Sequence, residues 1–284
     1  MRKLFDGQDH VINYIDDILI YTDTWDEHVK VLESVFRRIE QAGLTARPTK
    51  CMIGYESLEF LGHIVGEGLI KPQPSKIAKI MEASPPKTKK EVRSFMGLAN
   101  YYRKFIPNFS AIAVPLTDLT KKGYKSEVNW GEAQQRAFDT LKARLSSSPI
   151  LHLPDNDKVF ILRTDASDTG IGAILMQQEG DQSFPICYAS RKMLPRETRY
   201  SVIERECLAI IWAILKFHIY LYGRQFIIET DHQPLTYLST MKFSNNRVMR
   251  WALSLQPYRF TLRAIKGSDN SGADFLSRCS KEFE

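Results

Sequence analysis

The sequence lacks the features that mark export, membrane insertion or a cysteine-bound metal. None of its 284 residues belongs to a run of about 18 apolar residues, which excludes a transmembrane helix. The first residues, MRKLFD, do not form the apolar segment of an export signal. The four cysteines, at positions 51, 187, 207 and 279, are far apart and lack the paired spacing of a zinc site. We therefore expect an intracellular protein with reduced thiols, no disulfide framework and no membrane contact.

The composition is that of an ordinary globular protein. Hydrophobic residues make up 43% of the chain and charged residues 25%, which excludes extensive disorder. The length allows one to three domains, and the sequence contains no internal repeat or low-complexity tract.

Positive charge is concentrated in one segment. Residues 71–125 contain twelve Lys or Arg and three acids, an excess of nine, whereas the whole chain carries a net charge of +6. Such a field attracts a polyanion, and phosphate contacts supply most of the non-specific affinity for nucleic acid. Aromatic residues among the cations could stack on bases, or they could fill the core of short helices. A solvated lysine-rich surface is the alternative interpretation. The candidate nucleic-acid-binding residues are Lys87, Lys89, Lys90, Arg93, Arg103 and Lys104.

Two carboxylates lie between apolar runs near the start of the chain. Residues 11–21 predict a β-hairpin with Asp16 and Asp17 at or near its turn. Adjacent carboxylates repel each other, which favours a bound cation or donor, although a solvated turn is the alternative. A helix is expected from residue 26 to 39, ending near Gly43, and a strand at 60–65.

The middle of the chain predicts short helices. Prolines at 72, 74, 85 and 86 divide it into pieces. Thr88 and Glu91 match a capping box at the start of a helix that ends before Pro107. A second helix is expected from about 132 to 145, followed by a linker at 146–149.

Strands alternate with helices from residue 158 onward. Strands are expected at 159–165, 170–176, 186–188, 226–231 and 258–264, and helices at 202–221, 248–255 and 273–278. This order predicts a compact α/β domain with a mixed sheet.

Four acids of this last segment could converge on a metal. Asp165 and Asp231 end predicted strands, where sites in open α/β sheets form. Glu206 lies on the long helix, and Asp274 begins the last helix. Carboxylates are the ligands of hard cations, and two metals held close together activate a water and stabilise the leaving oxygen of a phosphodiester. Each acid taken singly could equally be a surface acid or a helix cap. Glu204 and Glu206 both lie about 80° from the centre of the apolar stripe, so helical periodicity does not choose between them.

Taken together, the motifs resemble the Pol polyprotein of gypsy-type long-terminal-repeat retrotransposons. YIDD (14–17) resembles the reverse-transcriptase active-site box, and FLGH (60–63) resembles the stretch that follows it. FMGL (95–98) and NYYRKFI (100–106) resemble the thumb and connection region. The four motifs of ribonuclease H are resembled, in order, by TDAS (164–167), ERECLA (204–209), TDHQPL (230–235) and ADFLSR (273–278).

The resemblance implies a fold and a set of roles. The fold is α/β (α+β): a truncated reverse-transcriptase palm in residues 1–70, a small, basic, helical thumb and connection in 71–150, and a ribonuclease H-like mixed-sheet domain in 151–284. The metal-binding carboxylates that cleave RNA in an RNA–DNA hybrid, with Mg²⁺ or Mn²⁺ in a two-metal site, are Asp165, Glu206, Asp231 and Asp274. The family pattern favours Glu206 over Glu204. Asp16 and Asp17 correspond to two polymerase carboxylates. Expected partners are the hybrid, other nucleic acid and the remainder of a Pol polyprotein.

The sequence departs from the family in two places. A reverse transcriptase needs a third palm carboxylate and nucleotide-binding fingers upstream of the double-Asp box, but only thirteen residues precede Tyr14. We therefore expect that the chain does not polymerise DNA unaided. Cellular relatives of ribonuclease H also use a histidine between the third and fourth acids, whereas residues 233–273 contain none and His232 directly follows Asp231.

Three hypotheses follow from these residues. The chain is an active endonuclease on RNA–DNA hybrids, a catalytically inactive nucleic-acid-binding remnant of a transposon, or an unstable fragment of a decayed element. The retained acids favour the first hypothesis.

Overall fold

The computed structural model describes residues 4–121, 123, 126–147, 150–180, 182–231 and 246–265. The chain divides into two compact units, Met1–Glu67 and Gly68–Glu284. None of the helices within the described ranges is long and apolar enough to span a membrane. The three-part division into palm, thumb and ribonuclease H-like domain stays a prediction.

The first unit combines two hairpins with one helix. Its elements are β1 (Val11–Tyr14), β2 (Asp17–Ile20), α1 (Trp25–Gln41), β3 (Ser57–Phe60) and β4 (His63–Gly66). The Thr24 hydroxyl accepts a hydrogen bond from the Glu27 N–H at 3.3 Å and caps α1, as expected for a threonine at this position. Val35 and Ile39 on the buried face of α1 pack with Phe5 in a small core.

The second unit begins with helices around their own core. Its first elements are β5 (Leu69–Pro72), α2 (Pro74–Glu82), α3 (Lys89–Tyr101), α4 (Phe109–Ile112), α5 (Val114–Asp118), α6 (Glu132–Ser146) and β6 (Leu151–His152). Fully buried Tyr102, Phe105 and Phe138 fill this core. The Thr88 hydroxyl accepts a hydrogen bond from the Glu91 N–H at 3.2 Å, so the predicted cap of α3 is confirmed.

The rest of the second unit is the predicted mixed sheet with helices. Its elements are β7 (Phe160–Ala166), β8 (Gly170–Glu179), β9 (Gln182–Lys192), α7 (Val202–Lys216), α8 (His218–Leu221), β10 (Gln225–Thr230), α9 (Asn246–Leu255) and β11 (Arg259–Ala264). The strand order is β11-β10-β7-β8-β9. β10 runs parallel to both β7 and β11, while β7, β8 and β9 form an antiparallel meander.

The second core lies between this sheet and the helices. Leu162 of β7 and Phe226 of β10 pack there with Ile210 of α7. The predicted helix 202–221 is interrupted at Phe217, whose ψ of 20° ends α7 one residue before α8 begins. Phe217 is buried in the same core, so packing outweighs the continuous helical pattern of the sequence. The helix predicted at 273–278 lies outside the described residues.

Candidate active site

Helix α7 carries two glutamates, and the structure separates their roles. Ser201 and Glu204 form a reciprocal capping box: the Ser201 hydroxyl accepts from the Glu204 N–H at 3.3 Å, and Glu204 Oε2 accepts from the Ser201 N–H at 2.9 Å. The other carboxylate oxygen of Glu204 accepts from Arg247 Nη1 of α9 at 2.9 Å. Glu204 therefore caps α7 and ties it to α9.

Glu206 points into the protein instead. It is 6% exposed, and its carboxyl group accepts a hydrogen bond from the backbone N–H of Ala166 at the end of β7. Burial, together with the negative charges of Asp165 and Asp231, raises the pKa of Glu206 to about 9. Its Oε2 atom is buried and has no hydrogen-bond partner among the described residues. Asp165 and Asp231 are thus close enough for their charges to act on the carboxyl group of Glu206.

The two aspartates reach this place from neighbouring parallel strands. Asp165 is the penultimate residue of β7 and is 2% exposed, and Asp231 directly follows β10. Parallel strands bring their carboxyl ends to one edge of the sheet, where sites of α/β proteins form. Asp274, the fourth predicted acid, lies outside the described residues. Within the described ranges, no group of three or more His, Cys, Asp or Glu side chains is placed so that it could hold a metal ion.

The turn between β7 and β8 is fixed beside these acids. The Ser167 hydroxyl accepts from the Gly170 N–H at 3.0 Å and from the Thr169 N–H at 3.2 Å. Arg205, between the two glutamates of α7, forms an ion pair with Asp168 of this turn. The positive charge of Arg205 partly offsets the rise in the pKa of Glu206. No local signal in the sequence marks Arg205, because only the tertiary contact with residue 168 reveals its place.

Asp16 and Asp17 lie in the first unit, in the predicted hairpin. Tyr14 pairs with Asp17, so the turn consists of Ile15 and Asp16, and Asp17 begins the second strand. Ile15 adopts a left-handed backbone conformation with φ of 57° and is 71% exposed. A β-branched residue in this conformation is strained, and such strain concentrates at functional sites. Both carboxylates are exposed beside it.

The candidate nucleic-acid-binding residues fall into two groups. Lys87, Lys90 and Arg93 are exposed at the start of α3 and just before it, and Lys89 donates to the backbone oxygen of Lys121. The other group, Arg103 and Lys104, is half-buried, and burial lowers the pKa of both.

Arg103 connects the helices to the sheet. Its Nη2 donates to the backbone oxygen of Ser190 in β9 at 2.8 Å and to the Ser110 hydroxyl at 3.2 Å. The Ser110 hydroxyl donates to the same Ser190 oxygen at 2.6 Å. The guanidinium of Arg103 is therefore committed to the fold, which the charge pattern alone did not reveal.

Comparisons with known proteins agree with this architecture. Residues 1–65 match the family model of reverse transcriptase (RNA-dependent DNA polymerase), and residues 155–258 match that of the RNase H-like domain found in reverse transcriptase. Solved structures similar to this chain include two of the foamy viral protease-reverse transcriptase. The one in complex with double-stranded DNA has a TM-score of 0.81 at 26% identity, covering 93% of this chain and 47% of that chain. The one in complex with an RNA/DNA hybrid has a TM-score of 0.80 at 25% identity, covering 93% and 37%.

Curated relatives come from retrotransposons. The Pol polyprotein of Drosophila melanogaster transposon 297 is 43% identical over 273 residues, which are 96% of this chain and 25% of that protein. The Tf2-3 polyprotein of Schizosaccharomyces pombe is 37% identical over 282 residues, 98% of this chain and 21% of that protein. The chain thus spans about a quarter or less of the length of these relatives. The predicted resemblance is confirmed: the chain belongs to the retrotransposon Pol polyproteins and carries their reverse-transcriptase and RNase H-like regions.

Proposed function

We propose that the second unit cleaves the RNA strand of RNA–DNA hybrids at a divalent-metal site formed by Asp165, Glu206, Asp231 and Asp274. One observation carries this proposal. The buried carboxyl group of Glu206 is placed against Asp165 and Asp231 with one oxygen unpartnered among the described residues. A protein pays a free-energy cost for such a cluster, and a bound cation removes it.

The donor atoms of these residues are of the kind that Mg²⁺ and Mn²⁺ bind. Both ions prefer carboxylate oxygens, and Glu206 Oε2 is a buried oxygen atom in need of a partner. When bound in such a site, divalent ions activate a water and stabilise the departing oxygen of a phosphodiester. The chain itself supplies orientation: the Ala166 N–H holds one side of Glu206, and the pair of Arg205 with Asp168 fixes the neighbouring turn.

Helix α3 supplies a surface for the nucleic-acid backbone. Arg93, Gly97 and Asn100 recur at helical spacing and line a cleft of ≈ 430 Å³. A Cβ atom added to Gly97 would meet no atom within 4 Å, so packing within the protein does not explain a glycine in the helix interior. Close approach of a ligand does explain it. We expect hybrid binding to weaken steeply with salt, because the contacts would be mainly to phosphates.

The first unit belongs to a polymerase site in this proposal. Asp16 and Asp17 would act as two of its metal-binding carboxylates in a longer Pol chain that provides the remaining parts. Residues 71–150 would serve as thumb and connection, and residues 151–284 as the ribonuclease H-like domain.

Cleavage of a labelled RNA–DNA hybrid with Mg²⁺ or Mn²⁺ tests the nuclease proposal. We expect the parent chain to cut the RNA strand and Asp165→Asn to lose the activity while still binding the hybrid. Lack of cleavage by a folded chain that binds the hybrid would contradict the proposal and support the inactive binding remnant.

A further inference from the structure

Three charged side chains form a ladder across the sheet next to the candidate site. Arg163 of β7, Glu229 of β10 and Arg263 of β11 are in register on neighbouring strands. Arg163 Nε donates to Glu229 Oε2 at 2.5 Å, and Arg263 Nη1 donates to Glu229 Oε1 at 3.2 Å. The Glu229 side chain is only 5% exposed, so its charge depends on these two arginines. We call these three residues the sheet ladder.

The ladder lies at the last rung where β7 and β10 pair. Their register ends with Arg163 opposite Glu229. β7 nevertheless continues to pair with β8 as far as Ala166, and β10 with β11 as far as Thr230. Among the described residues, the paired register of β7 and β10 therefore ends at the ladder, while each strand continues to pair with its other neighbour.

Asp165 and Asp231 lie two residues beyond the ladder, one after Arg163 in β7 and the other after Glu229 of β10. Side chains alternate along a strand, so the second residue after a given one returns to the same face. Asp165 therefore lies on the same face of β7 as Arg163, and Asp231, directly after the end of β10, is the second residue after Glu229. The paired register of the described residues ends at this rung, so the side-chain ladder joins the two strands two residues before each aspartate.

We propose that Arg163, Glu229 and Arg263 are positioning residues that set the separation of Asp165 and Asp231. The inference rests on the proposed metal-dependent nuclease and adds to it the residues that hold its carboxylates in place. Two apolar side chains could also hold β7 and β10 together, but they would not select one register or one height. A carboxylate that accepts hydrogen bonds from an arginine on each side fixes both the register and the relative height of the strands, because these hydrogen bonds are directional.

The test compares two variants that break a buried ion pair in the same unit. Glu229→Gln removes the charge at the centre of the ladder. Glu197→Gln removes the carboxylate that Arg191 binds at 2.6 Å, with a side chain of similar burial (6% exposed), but Glu197 is on neither β7 nor β10. Mn²⁺ affinity is measured by titration calorimetry without nucleic acid, and kcat and KM are measured on the labelled hybrid.

We expect Glu229→Gln to weaken Mn²⁺ binding by about tenfold or more and to lower kcat more than it raises KM, as for residues that orient metal ligands. Glu197→Gln should lose stability and keep its Mn²⁺ affinity within about twofold of the parent chain. Arg163→Lys keeps the charge but not the guanidinium geometry, so it should weaken Mn²⁺ binding less than Glu229→Gln does. If Glu229→Gln does not fold, Arg263→Met takes its place, because Arg263 is half-exposed.

Three results would overturn the inference. The ladder has no positioning role if Glu229→Gln binds Mn²⁺ like the parent chain. It is merely structural if Glu197→Gln loses Mn²⁺ affinity to the same extent. A parent chain that neither binds Mn²⁺ nor cuts the hybrid removes the proposed nuclease and, with it, the role of the ladder.

Discussion

The Glu206 carboxyl group accepts a hydrogen bond from the backbone N–H of Ala166, the residue that follows Asp165. This contact joins the first turns of α7 to the end of β7 and brings two acids together that are 41 positions apart in the sequence. A backbone donor cannot rotate away as a side chain can. The place of Glu206 is therefore defined by the fold itself, before any ligand binds.

The acid cluster should cost stability in the absence of metal. Glu206→Gln removes a buried carboxyl group that lies near two negative charges, so we expect the metal-free variant to be more stable by about 1–3 kcal/mol. Urea denaturation in the presence of a chelator measures this difference. Glu204→Gln is the matched control and should give no gain, because it weakens the pair with Arg247. A less stable Glu206→Gln would show that the cluster stabilises the fold.

The pair of Glu197 with Arg191 should give a pH-dependent contribution to stability. Burial opposes ionisation of Glu197, but hydrogen bonds from Arg191 and the Leu194 N–H outweigh it and hold the pKa of Glu197 below its usual range. A lowered pKa stabilises the folded state above the unfolded-state pKa, and this stabilisation is lost as the pH falls through the folded-state pKa. Glu197→Gln should therefore cost about 1.5–3 kcal/mol at pH 7. Its deficit should shrink in denaturation experiments at pH 3, and an unchanged deficit would refute the assignment.

Arg103 should act on stability through its contacts with β9. Arg103→Met removes the donors to Ser190 and Ser110 and leaves a buried backbone oxygen with fewer partners, so we expect a loss of about 2–3 kcal/mol. Thermal denaturation measures it. Lys90→Met, at an exposed position of the same basic segment, is the control and should change the free energy of unfolding by less than about 0.5 kcal/mol. Equal, small effects of both substitutions would contradict the structural role of Arg103.

The glycine at position 97 should lower the stability of α3 and leave room for a ligand on this face of the helix. Gly97→Ala meets open space and should stabilise the protein by about 0.5–1 kcal/mol, since alanine is the better helix former. If a nucleic-acid backbone approaches this face of α3, the same variant should bind the hybrid more weakly in a fluorescence anisotropy titration. Unchanged affinity would mean that the face is free of ligand.

Local patterns predicted the elements that position the site. The cap of α3, the strands that precede Asp165 and Asp231 and the mixed sheet follow from turn chemistry and from the pattern of apolar residues, whereas the cap of α7 was not predicted. The choice between Glu204 and Glu206 did not follow, because both flank the apolar stripe equally. The family resemblance favours Glu206, and the tertiary contacts separate the two residues: Glu204 meets Arg247, and Glu206 meets Ala166.

Local sequence patterns do not predict which residues of distant strands lie opposite each other. The pairing of Arg163 with Glu229 joins residues 66 positions apart, and neither residue has a local signal. The interruption of the long helix at Phe217 was also missed, because the apolar spacing continues through it while the side chain turns into the core. The place of Asp274 stays a prediction.

Hybrid cleavage by the two variants Glu206→Gln and Glu204→Gln decides whether Glu206 belongs to the proposed metal site. Both variants change one carboxylate to an amide on the same helix, two residues apart, and glutamine at 204 can retain the capping box. We expect Glu206→Gln to lose Mg²⁺-dependent cleavage of the RNA strand, by about a hundredfold or more in kcat, while Glu204→Gln remains active. Cleavage by Glu206→Gln at the rate of the parent chain would refute the proposed role of Glu206.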